Sequence, residues 1–435
     1  MKRTPAAQIV RPPAYQYRVA TSGARTPEIC CEGVSLRRLA ERYGTPLYVY
    51  SAEMIRERLK AFDRAFRSIP RTLCYSVKAN STLGILRLIA NEGAGFDVVS
   101  GGELQRVLRT DRKAARKAVF SGVGKTAVEM ELALRAGILM FNVESSSELD
   151  LLAATARRLK KRAAVALRVN PDVSAKTHPY ISTGLHQHKF GVPIREAIIL
   201  YAQAAKERYL DVAGISVHIG SQITDVSSFQ QAIRRVAKLT TTLRKQGHDI
   251  RYIDAGGGLG ISYEDRPGNF EEQIAAYAEA VLSPLLGLKV HLLIEPGRSI
   301  VGASGVLLTR VLYRKTNHRK RFLIVDAAMN DLLRPSLYGA YHEIIPVSGV
   351  PRETEITDVV GPICETGDFF ARDRKLPLAS EGDLLAILDV GAYGSVLGSN
   401  YNTRGRAAEV LAEGAKARVI RKRESFDDQM SMERP

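Results

Sequence analysis

The sequence predicts an α/β protein with two domains, a (β/α)8 TIM-type barrel followed by an all-β domain. One observation is a series of eight short apolar runs between about residue 70 and residue 297, separated by amphipathic helical patterns. Another is that polar residues cluster at the ends of several of these runs, as at the active-site face of such barrels. After Pro296, short strand-like runs alternate with Gly and Pro turns, which is typical of an all-β domain.

The eight apolar runs are the predicted barrel strands. In chain order they read TLCYSVKA, GFDVVS, AVFSG, LMFNVES, AAVALRVN, GISVHIGS, YIDAGGG and VHLLIEPG. Helical patterns such as TAVEMELALRAG and SSELDLLAATARRL lie between them. Eight repeats over about 230 residues match the number of strands that closes a barrel of this type. A doubly wound open sheet is the alternative.

The predicted boundaries divide the chain into five parts. We expect a basic, disordered extension over residues 1–25, which hold five basic side chains, three prolines and no acidic residue. Residues 26–48 form an N-terminal segment that joins the β domain, and residues 49–297 form the barrel. Residues 298–425 form the β domain, with strand-like runs such as RFLIVDAA and DLLAILDV, and residues 426–435 form a disordered tail.

Composition and charge exclude several classes of protein. Hydrophobic residues make up 45% and charged residues 25%, as in soluble globular proteins. No apolar run approaches the ~20 residues of a membrane span, and the first residues contain no apolar signal core. The cysteines form no C-x-x-C pair; they are Cys30, Cys31, Cys74 and Cys364. These features predict a cytoplasmic protein with free thiols and no membrane partner.

The net charge of +17 is high. It is compatible with a field that attracts anionic ligands, but the basic residues are scattered through helical patterns such as RKAARKAV and RRLKKRAA. Solvated helix faces are therefore the favoured interpretation. No nucleic-acid-binding motif accompanies the charge, so we expect no nucleic-acid partner.

Lys78 is the first candidate for chemistry, because it follows the first predicted barrel strand in the run YSVKAN. A lysine at this end of a barrel strand points toward the mouth, where such folds carry their active sites. A partly dehydrated lysine loses proton affinity and becomes an amine nucleophile for an aldehyde. A surface lysine at a strand end is the alternative interpretation.

The run EPGR at the end of the eighth predicted strand holds Glu295, Gly297 and Arg298. A carboxylate buried at a barrel mouth requires a partner, and the protonated nitrogen of an aromatic ring is a suitable one. A structural Glu–Arg pair is the alternative interpretation.

Two neighbouring loops are candidates for binding a planar, anionic ligand. Gly256, Gly257 and Gly258 follow the seventh strand, which is the usual position of a phosphate site in such barrels. His218 and Ser221 follow the sixth strand, where a histidine ring stacks on a planar ligand and a hydroxyl bonds a phosphate oxygen. An ordinary turn and a core histidine are the alternatives. No metal-ligand spacing is present, so we expect no metal site.

The run GPICETGD places Cys364 beside two acidic residues, Glu365 and Asp368. Nearby carboxylates keep a thiol protonated, which suits a proton donor. A buried apolar cysteine is the alternative interpretation.

Taken together, these segments resemble the alanine-racemase-type barrel enzymes that use pyridoxal 5′-phosphate, specifically the ornithine/diaminopimelate decarboxylase group. The resemblance extends from about residue 35 to residue 425, and within the group the chain is most similar to the diaminopimelate decarboxylases. The runs that carry it are FDVVSGGEL, STGLHQHKFGV, HIGSQI, EPGRSIVG, VDAAMNDLLRPSLYGAYH, GPICETGD and GAYGS. Their joint order along the chain is highly specific.

The resemblance implies pyridoxal 5′-phosphate as the cofactor and a role for each candidate residue. As catalytic residues, Lys78 binds the cofactor covalently, His218 stacks on its ring and Cys364 donates a proton across the interface of a homodimer with shared active sites. The implied cofactor contacts are Lys78, Asp97, His218, Ser221, Gly256, Gly257, Gly258, Glu295, Gly297, Arg298 and Tyr393. The implied contacts of an amino-acid substrate are Arg298, Arg334, Tyr338, Glu365 and Tyr393.

The implied reaction is decarboxylation of meso-2,6-diaminopimelate to L-lysine and CO2, the last step of lysine biosynthesis. Decarboxylation of ornithine, arginine or carboxynorspermidine on the same fold is the alternative. A racemase is disfavoured, because Ser81 and Thr82 stand where racemases have a Tyr-Gly-His run. Intact Lys78, Glu295 and Cys364 argue against a non-catalytic regulator that only binds the cofactor.

Two positions depart from the family pattern. Thr366 stands where the family usually has Ser, and it keeps the hydroxyl. Ala328 stands where the family usually has Gly, and its Cβ matters if that position requires a positive φ.

Overall fold

The computed structural model describes residues 14–19, 26–173, 189–263, 270–350 and 352–434. Within these ranges the strands are β1 (Tyr15–Val19), β2 (Pro27–Cys31), β3 (Val34–Ser35), β4 (Leu47–Ser51), β5 (Arg71–Ser76), β6 (Gly95–Val98), β7 (Ala118–Phe120), β8 (Met140–Val143), β9 (Ala163–Asn170), β10 (Val192–Pro193), β11 (Leu210–Ser216), β12 (Tyr252–Asp254), β13 (His291–Ile294), β14 (Gly305–Asn317), β15 (Lys320–Val325), β16 (Ile344–Pro346), β17 (Thr354–Val360), β18 (Phe369–Pro377), β19 (Leu384–Ile387), β20 (Ala408–Glu413) and β21 (Lys416–Arg421).

The α-helices of the same ranges are α1 (Leu36–Tyr43), α2 (Ala52–Ala65), α3 (Leu83–Asn91), α4 (Gly101–Thr110), α5 (Ala127–Ala136), α6 (Ser146–Leu159), α7 (Ile194–Ala204), α8 (Ser227–Lys245), α9 (Phe270–Leu282), α10 (Arg298–Val301), α11 (Arg334–Tyr338) and α12 (Phe426–Met430). No helix in the described part of the chain combines the length and the apolar character that a membrane span requires.

The chain divides into two compact units. The barrel unit comprises the described residues of Arg58–Ile261 and Asn269–Ser299. The β unit comprises those of Met1–Glu57, Ser262–Gly268 and Ile300–Pro435.

The barrel unit contains a closed ring of eight parallel strands, in the order β5-β6-β7-β8-β9-β11-β12-β13. The ring closes because β13 pairs with β5, and β9 pairs with both β8 and β11. Parallel strands buried on both faces read as nearly continuous apolar runs, which is why all eight strands were recognisable in the sequence. The closed ring confirms the predicted barrel and excludes the doubly wound open sheet.

Side-chain caps start several helices directly after the strand ends. Ser100 and Ser145 accept hydrogen bonds from the third residue of α4 and of α6, and Thr126 forms a reciprocal capping box with Glu129 at the start of α5. Such caps satisfy backbone N–H groups that have no partner within the helix. They keep the connecting loops short, so the carboxyl ends of the strands form one face of the barrel.

The β unit is built on a sheet with the strand order β18-β17-β15-β14-β4-β20-β21, and β19 joins it by pairing with β14 and β16. Its core is a cluster of buried apolar side chains that includes Leu47, Val49, Val306, Leu308 and Val410. These residues alternate along β4, β14 and β20, so they share one face of the sheet. The unit corresponds to the predicted all-β domain.

Two terminal segments differ from the disorder that the sequence predicts. Within residues 1–25, Tyr15–Val19 forms β1 and pairs with β2, and the buried Tyr15 hydroxyl lies within hydrogen-bond distance of the carbonyl oxygens of Ser304 and Val49. The rest of that extension lies outside the described residues. In the tail, Phe426–Met430 forms α12, which Ser425 and Asp428 cap reciprocally.

Candidate active site

Lys78 lies on a 3-10 turn, Val77–Ala79, directly after β5. Its Nζ atom donates to Oδ2 of Asp97 over 2.8 Å. The two residues meet because β5 and β6 pair in parallel with Ser76 opposite Asp97. The carboxyl group of Asp97 is completely buried, whereas the Lys78 side chain keeps 34% of its surface exposed. The amine is therefore held in place and still reachable from solvent.

Ser76 connects the Lys78–Asp97 pair to the end of β13 through hydrogen bonds. Its Oγ atom lies 2.9 Å from Oδ2 of Asp97 and 3.0 Å from the carbonyl oxygen of Glu295. Gly297 is required nearby, since a Cβ there would approach within 3.0 Å of the Cβ atoms of Ser76 and Ala79. The lysine turn and the EPGR run thus pack together without space for a larger residue.

Glu295 and Asp254 form a buried carboxyl pair at the ends of β13 and β12. Burial raises the pKa of Glu295 well above its usual range, and the charges of Asp254 and Asp97 raise it further. Burial also raises the pKa of Asp254, although the Gly256 N–H and the Asn142 amide donate to it over 2.9 and 2.6 Å. This excess of buried carboxyl groups favours a cationic ligand.

His218, after β11, is a neutral ring in this structure. The N–H of Gly257 donates to its Nδ1 atom over 3.2 Å, so the ring proton lies on Nε2. Burial lowers the pKa of His218 well below its usual value, and the positive charges of Arg168 and Lys78 lower it further. A neutral, partly buried imidazole is suited to stacking on a planar ligand.

The loops after β11 and β12 are joined by backbone hydrogen bonds. The Ile223 N–H donates to the Gly258 carbonyl over 2.9 Å, and the Gly260 N–H donates to the Ile223 carbonyl over 3.0 Å. Only glycine fits at two positions here: a Cβ on Gly257 would lie 2.0 Å from the Glu295 carbonyl oxygen, and Gly258 has a φ of +109°. The glycine run is therefore a close-packed junction, which a simple turn would not require.

Arg298, the first residue of α10, reaches the other loop of this junction. Its Nη2 atom lies 3.3 Å from the Ser221 Oγ atom, and the arginine is buried. A guanidinium group and a hydroxyl beside a glycine loop are the groups that bind a phosphate.

Arg168, Asn142 and Asp254 are site residues that the sequence analysis did not single out. Arg168 Nη1 lies 3.1 and 3.2 Å from the two carboxylate oxygens of Glu144, and both residues are buried. Each of these residues lies in or next to a predicted barrel strand, as in AAVALRVN, LMFNVES and YIDAGGG. Their position at strand ends is the signal that would have identified them.

The β unit carries the remaining predicted residues. Cys364 and Glu365 are exposed on the loop between β17 and β18. The loop is held by Asp368, whose carboxylate accepts from the backbone N–H groups of Ile363 and Met329, both over 2.7 Å. Glu365 also bonds the hydroxyl of Tyr401, which raises the pKa of Tyr401.

Arg334 and Tyr338 are the first and last residues of α11. Arg334 is buried, and Tyr338 is partly buried. Tyr393 lies on the loop after β19 with a φ of +55°, a left-handed conformation that is uncommon for a tyrosine. Ala328 does not adopt a positive φ, so its Cβ causes no backbone strain.

The barrel unit thus holds the candidates from five of its strand ends; they are Lys78, Asp97, His218, Ser221, Gly256, Gly257, Gly258, Glu295, Gly297 and Arg298. The β unit holds the other candidates, which are Arg334, Tyr338, Cys364, Glu365 and Tyr393. Residues 182–188 of the run STGLHQHKFGV lie outside the described residues.

Comparison with known proteins identifies the family. Residues 52–302 match the family model described as "Pyridoxal-dependent decarboxylase, pyridoxal binding domain". The diaminopimelate decarboxylase of Pseudomonas aeruginosa is 51% identical over 409 residues, which cover 94% of this chain and 97% of that protein. The corresponding protein of Aquifex aeolicus is 49% identical over 403 residues, covering 93% and 95% of the two chains.

Solved structures agree with the sequence comparison. The crystal structure of diaminopimelate decarboxylase from Helicobacter pylori complexed with L-lysine matches with a TM-score of 0.86 and 45% identity. The match covers 91% of this chain and 98% of that chain. This chain belongs to the diaminopimelate decarboxylase family of pyridoxal-dependent decarboxylases.

Proposed function

We propose that this protein decarboxylates meso-2,6-diaminopimelate to L-lysine and CO2, the last step of lysine biosynthesis. The observation that carries the proposal is the Lys78–Asp97 pair at the barrel mouth, with the buried Glu295 on the strand adjacent to β5. The substrate is the one named for relatives that are 45–51% identical over nearly the whole chain.

The residues at the barrel mouth fit pyridoxal 5′-phosphate. Glu295 suits the ring nitrogen, because a positive charge there offsets the cost of burying its carboxylate. Arg298, Ser221 and the glycine run would hold the phosphate, and His218 would lie against the ring. When bound, the cofactor supplies an electron-withdrawing ring that accepts the electron pair released as CO2 leaves.

Lys78 and Asp97 supply the amine chemistry. The Asp97 carboxylate is the base nearest to the ammonium group, with Oδ2 2.8 Å from Nζ. Transfer of a proton from Nζ to Oδ2 would leave a neutral amine, the form of lysine that is reactive toward an aldehyde. Ser76 bonds the same Oδ2 atom and keeps the carboxylate oriented toward the lysine.

The substrate contacts in this proposal are Arg298, Arg334, Tyr338, Glu365 and Tyr393. Diaminopimelate carries an ammonium and a carboxylate on the carbon that does not react. Arg334 binds that carboxylate through a planar guanidinium group, and Glu365 takes the ammonium. Tyr338 and Tyr393 complete the substrate contacts.

We further propose that the protein is a cytoplasmic homodimer with shared active sites. Cys364 then protonates the carbon from which CO2 has left, in the site of the partner subunit. Its exposed position on the β17–β18 loop supports this role, because a donor to another chain has to be accessible.

A substrate panel tests the function. The purified protein, loaded with pyridoxal 5′-phosphate, is assayed for CO2 release from meso-diaminopimelate, ornithine and L-lysine at one ionic strength. We expect kcat/KM for diaminopimelate to exceed that for ornithine by roughly 10⁴–10⁵, the discrimination of a site built around a polar group that the analogue lacks. Comparable values for the two substrates would overturn the assignment in favour of a polyamine-type decarboxylase.

A further inference from the structure

Arg334 has an unusual partner for a buried arginine. It keeps 5% of its surface exposed, and its Nη1 atom lies 2.8 Å from Nε2 of His342, which is completely buried. His342 brings no charge to this hydrogen bond, so the bond orients the guanidinium group of Arg334.

The hydrogen bonds of His342 define its protonation state. An arginine is always a donor, so Nε2 of His342 accepts from Arg334 and carries no proton. The ring proton is then on Nδ1, which donates to the Leu388 carbonyl oxygen over 2.8 Å. The imidazole is fixed at both nitrogens, and it is neutral when it binds Arg334.

The guanidinium group of Arg334 and the ring of His342 also pack against the ring of Tyr263. The guanidinium carbon of Arg334 lies 4.6 Å from the centroid of the Tyr263 ring. The same ring meets His342 edge-to-face, with centroids 5.3 Å apart and an interplanar angle of 76°. Arg374 donates to the backbone carbonyl of His342. Tyr263, His342 and Arg334 therefore form one cluster of the β unit that restricts the guanidinium plane.

We propose that His342 is a positioning residue that sets the orientation of Arg334 and thereby the preference for a substrate with a distal carboxylate. The inference rests on the proposed function, in which Arg334 binds that carboxylate. A two-donor bond to a carboxylate requires the guanidinium fork to face it in one plane. His342 fixes that plane through the edge of the group and Tyr263 through its face.

Two amide substitutions separate the two hydrogen bonds of His342. His342→Asn places an amide nitrogen near the position of Nδ1, so it keeps the bond to Leu388 and removes the acceptor for Arg334. His342→Gln places an amide oxygen near the position of Nε2, so it keeps the acceptor for Arg334. A merely structural role for His342 predicts no difference in substrate preference between them.

The measurement is kcat and KM for meso-diaminopimelate and ornithine with the cofactor-loaded enzyme. H342N should raise KM for diaminopimelate and reduce its advantage in kcat/KM over ornithine by about 10²-fold, the effect of a small misplacement of a binding group. H342Q should keep most of that advantage. Equal preference ratios for H342N, H342Q and the unmodified protein would refute the proposal.

A double-mutant cycle tests whether His342 acts through Arg334. R334A alone should reduce the preference, and adding H342N to R334A should reduce it no further. If R334A leaves the preference unchanged, the proposed substrate contact fails. If R334A reduces it but H342N reduces it further by an independent factor, the positioning role fails.

A substitution of Tyr263 is less prone to folding defects than a substitution of the completely buried His342. Tyr263 is only partly buried, so Y263L should fold while it removes the ring from Arg334 and His342. We expect Y263L to reduce the diaminopimelate preference and Y263F, which keeps the ring, to retain it. The same ratio in both variants would contradict the packing part of the proposal.

Discussion

Oδ2 of Asp97, a carboxylate with no exposed surface, lies 2.8 Å from Nζ of Lys78 on the neighbouring strand end. A fully buried carboxylate attracts an ammonium more strongly than an exposed one does, because less water screens the pair. The lysine is still 34% exposed, so its amine is oriented by the protein and accessible to a ligand.

Removal of the Lys78 amine should abolish covalent attachment of the cofactor. K78A should lose the visible absorbance of protein-bound pyridoxal phosphate, whereas K117A, which changes an exposed lysine bonded to the Gly93 carbonyl, should keep it. Borohydride reduction followed by peptide mapping checks the site. A pyridoxyl group found on another lysine would show that the assignment to Lys78 is wrong.

Replacement of Cys364 should slow turnover without releasing the cofactor. General-acid steps contribute ~10²–10⁴-fold, so C364A should lower kcat within that range while absorbance of the bound cofactor is retained. T366A changes an exposed neighbour on the same loop and should have nearly unchanged kcat. Normal turnover by C364A would exclude the thiol as the proton donor.

Mixed dimers should regain activity if the active sites are shared. K78A and C364A chains are each expected to be inactive or nearly so. In a two-fold dimer, a hybrid contains one site with both native residues. Random exchange of equal amounts should therefore restore about one quarter of the unmodified activity. Absence of any recovery, after subunit exchange has been verified by mass, would mean that each site is built within one chain.

Glu103 should make the protein less stable as the pH rises toward neutrality. Burial raises its pKa from 4.5 to about 7, although the Val99 N–H donates to its carboxylate. The folded chain thus holds the proton more tightly than the unfolded chain, and the free energy of unfolding falls between these two pH values. The stability that Glu103 contributes through its bound proton is fully present below pH 4.5 and is lost above about pH 7.

E103Q remains neutral and keeps an oxygen for the Val99 N–H. It should therefore flatten the pH dependence and add up to about 3 kcal/mol of stability at pH 8, at about 1.4 kcal/mol per pKa unit. Thermal unfolding at pH 5 and pH 8 measures the effect, with E279Q at an exposed position of α9 as the control. An identical slope for E103Q and the unmodified protein would contradict the prediction.

The barrel was predictable because each of its strands is recognisable as an apolar run in the sequence. Each of the eight is buried over most of its length and is largely apolar, so even the three-residue strands β7 and β12 lie in recognisable runs. In contrast, β14 was missed, because residues 305–311 are mostly buried and the residues that follow are exposed, which breaks any single pattern. Tyr15–Val19 was missed although its partner strand β2 is near in the sequence, because the hydroxyl of Tyr15 bonds Ser304, which is 289 positions away.

Position at a strand end was enough to single out Lys78, Glu295 and the glycine run, whereas Asp97 was named only through the family resemblance. The contacts between site residues could not be predicted in this way. Asn142 and Asp254 are 112 positions apart and meet only when the barrel closes. His342 and Arg334 are close in sequence, yet the bond depends on where Leu388 fixes the imidazole. Such contacts are properties of the closed fold and leave no local pattern.

The buried carboxyl pair of Glu295 and Asp254 links the stability of the folded chain to ligand binding. Burial raises the pKa of both groups, and a cationic ligand beside them would offset the cost of their ionised forms. A ligand that binds only the folded chain stabilises it in proportion to the logarithm of its concentration. We therefore expect the folded chain to resist unfolding more strongly as the concentration of pyridoxal 5′-phosphate rises.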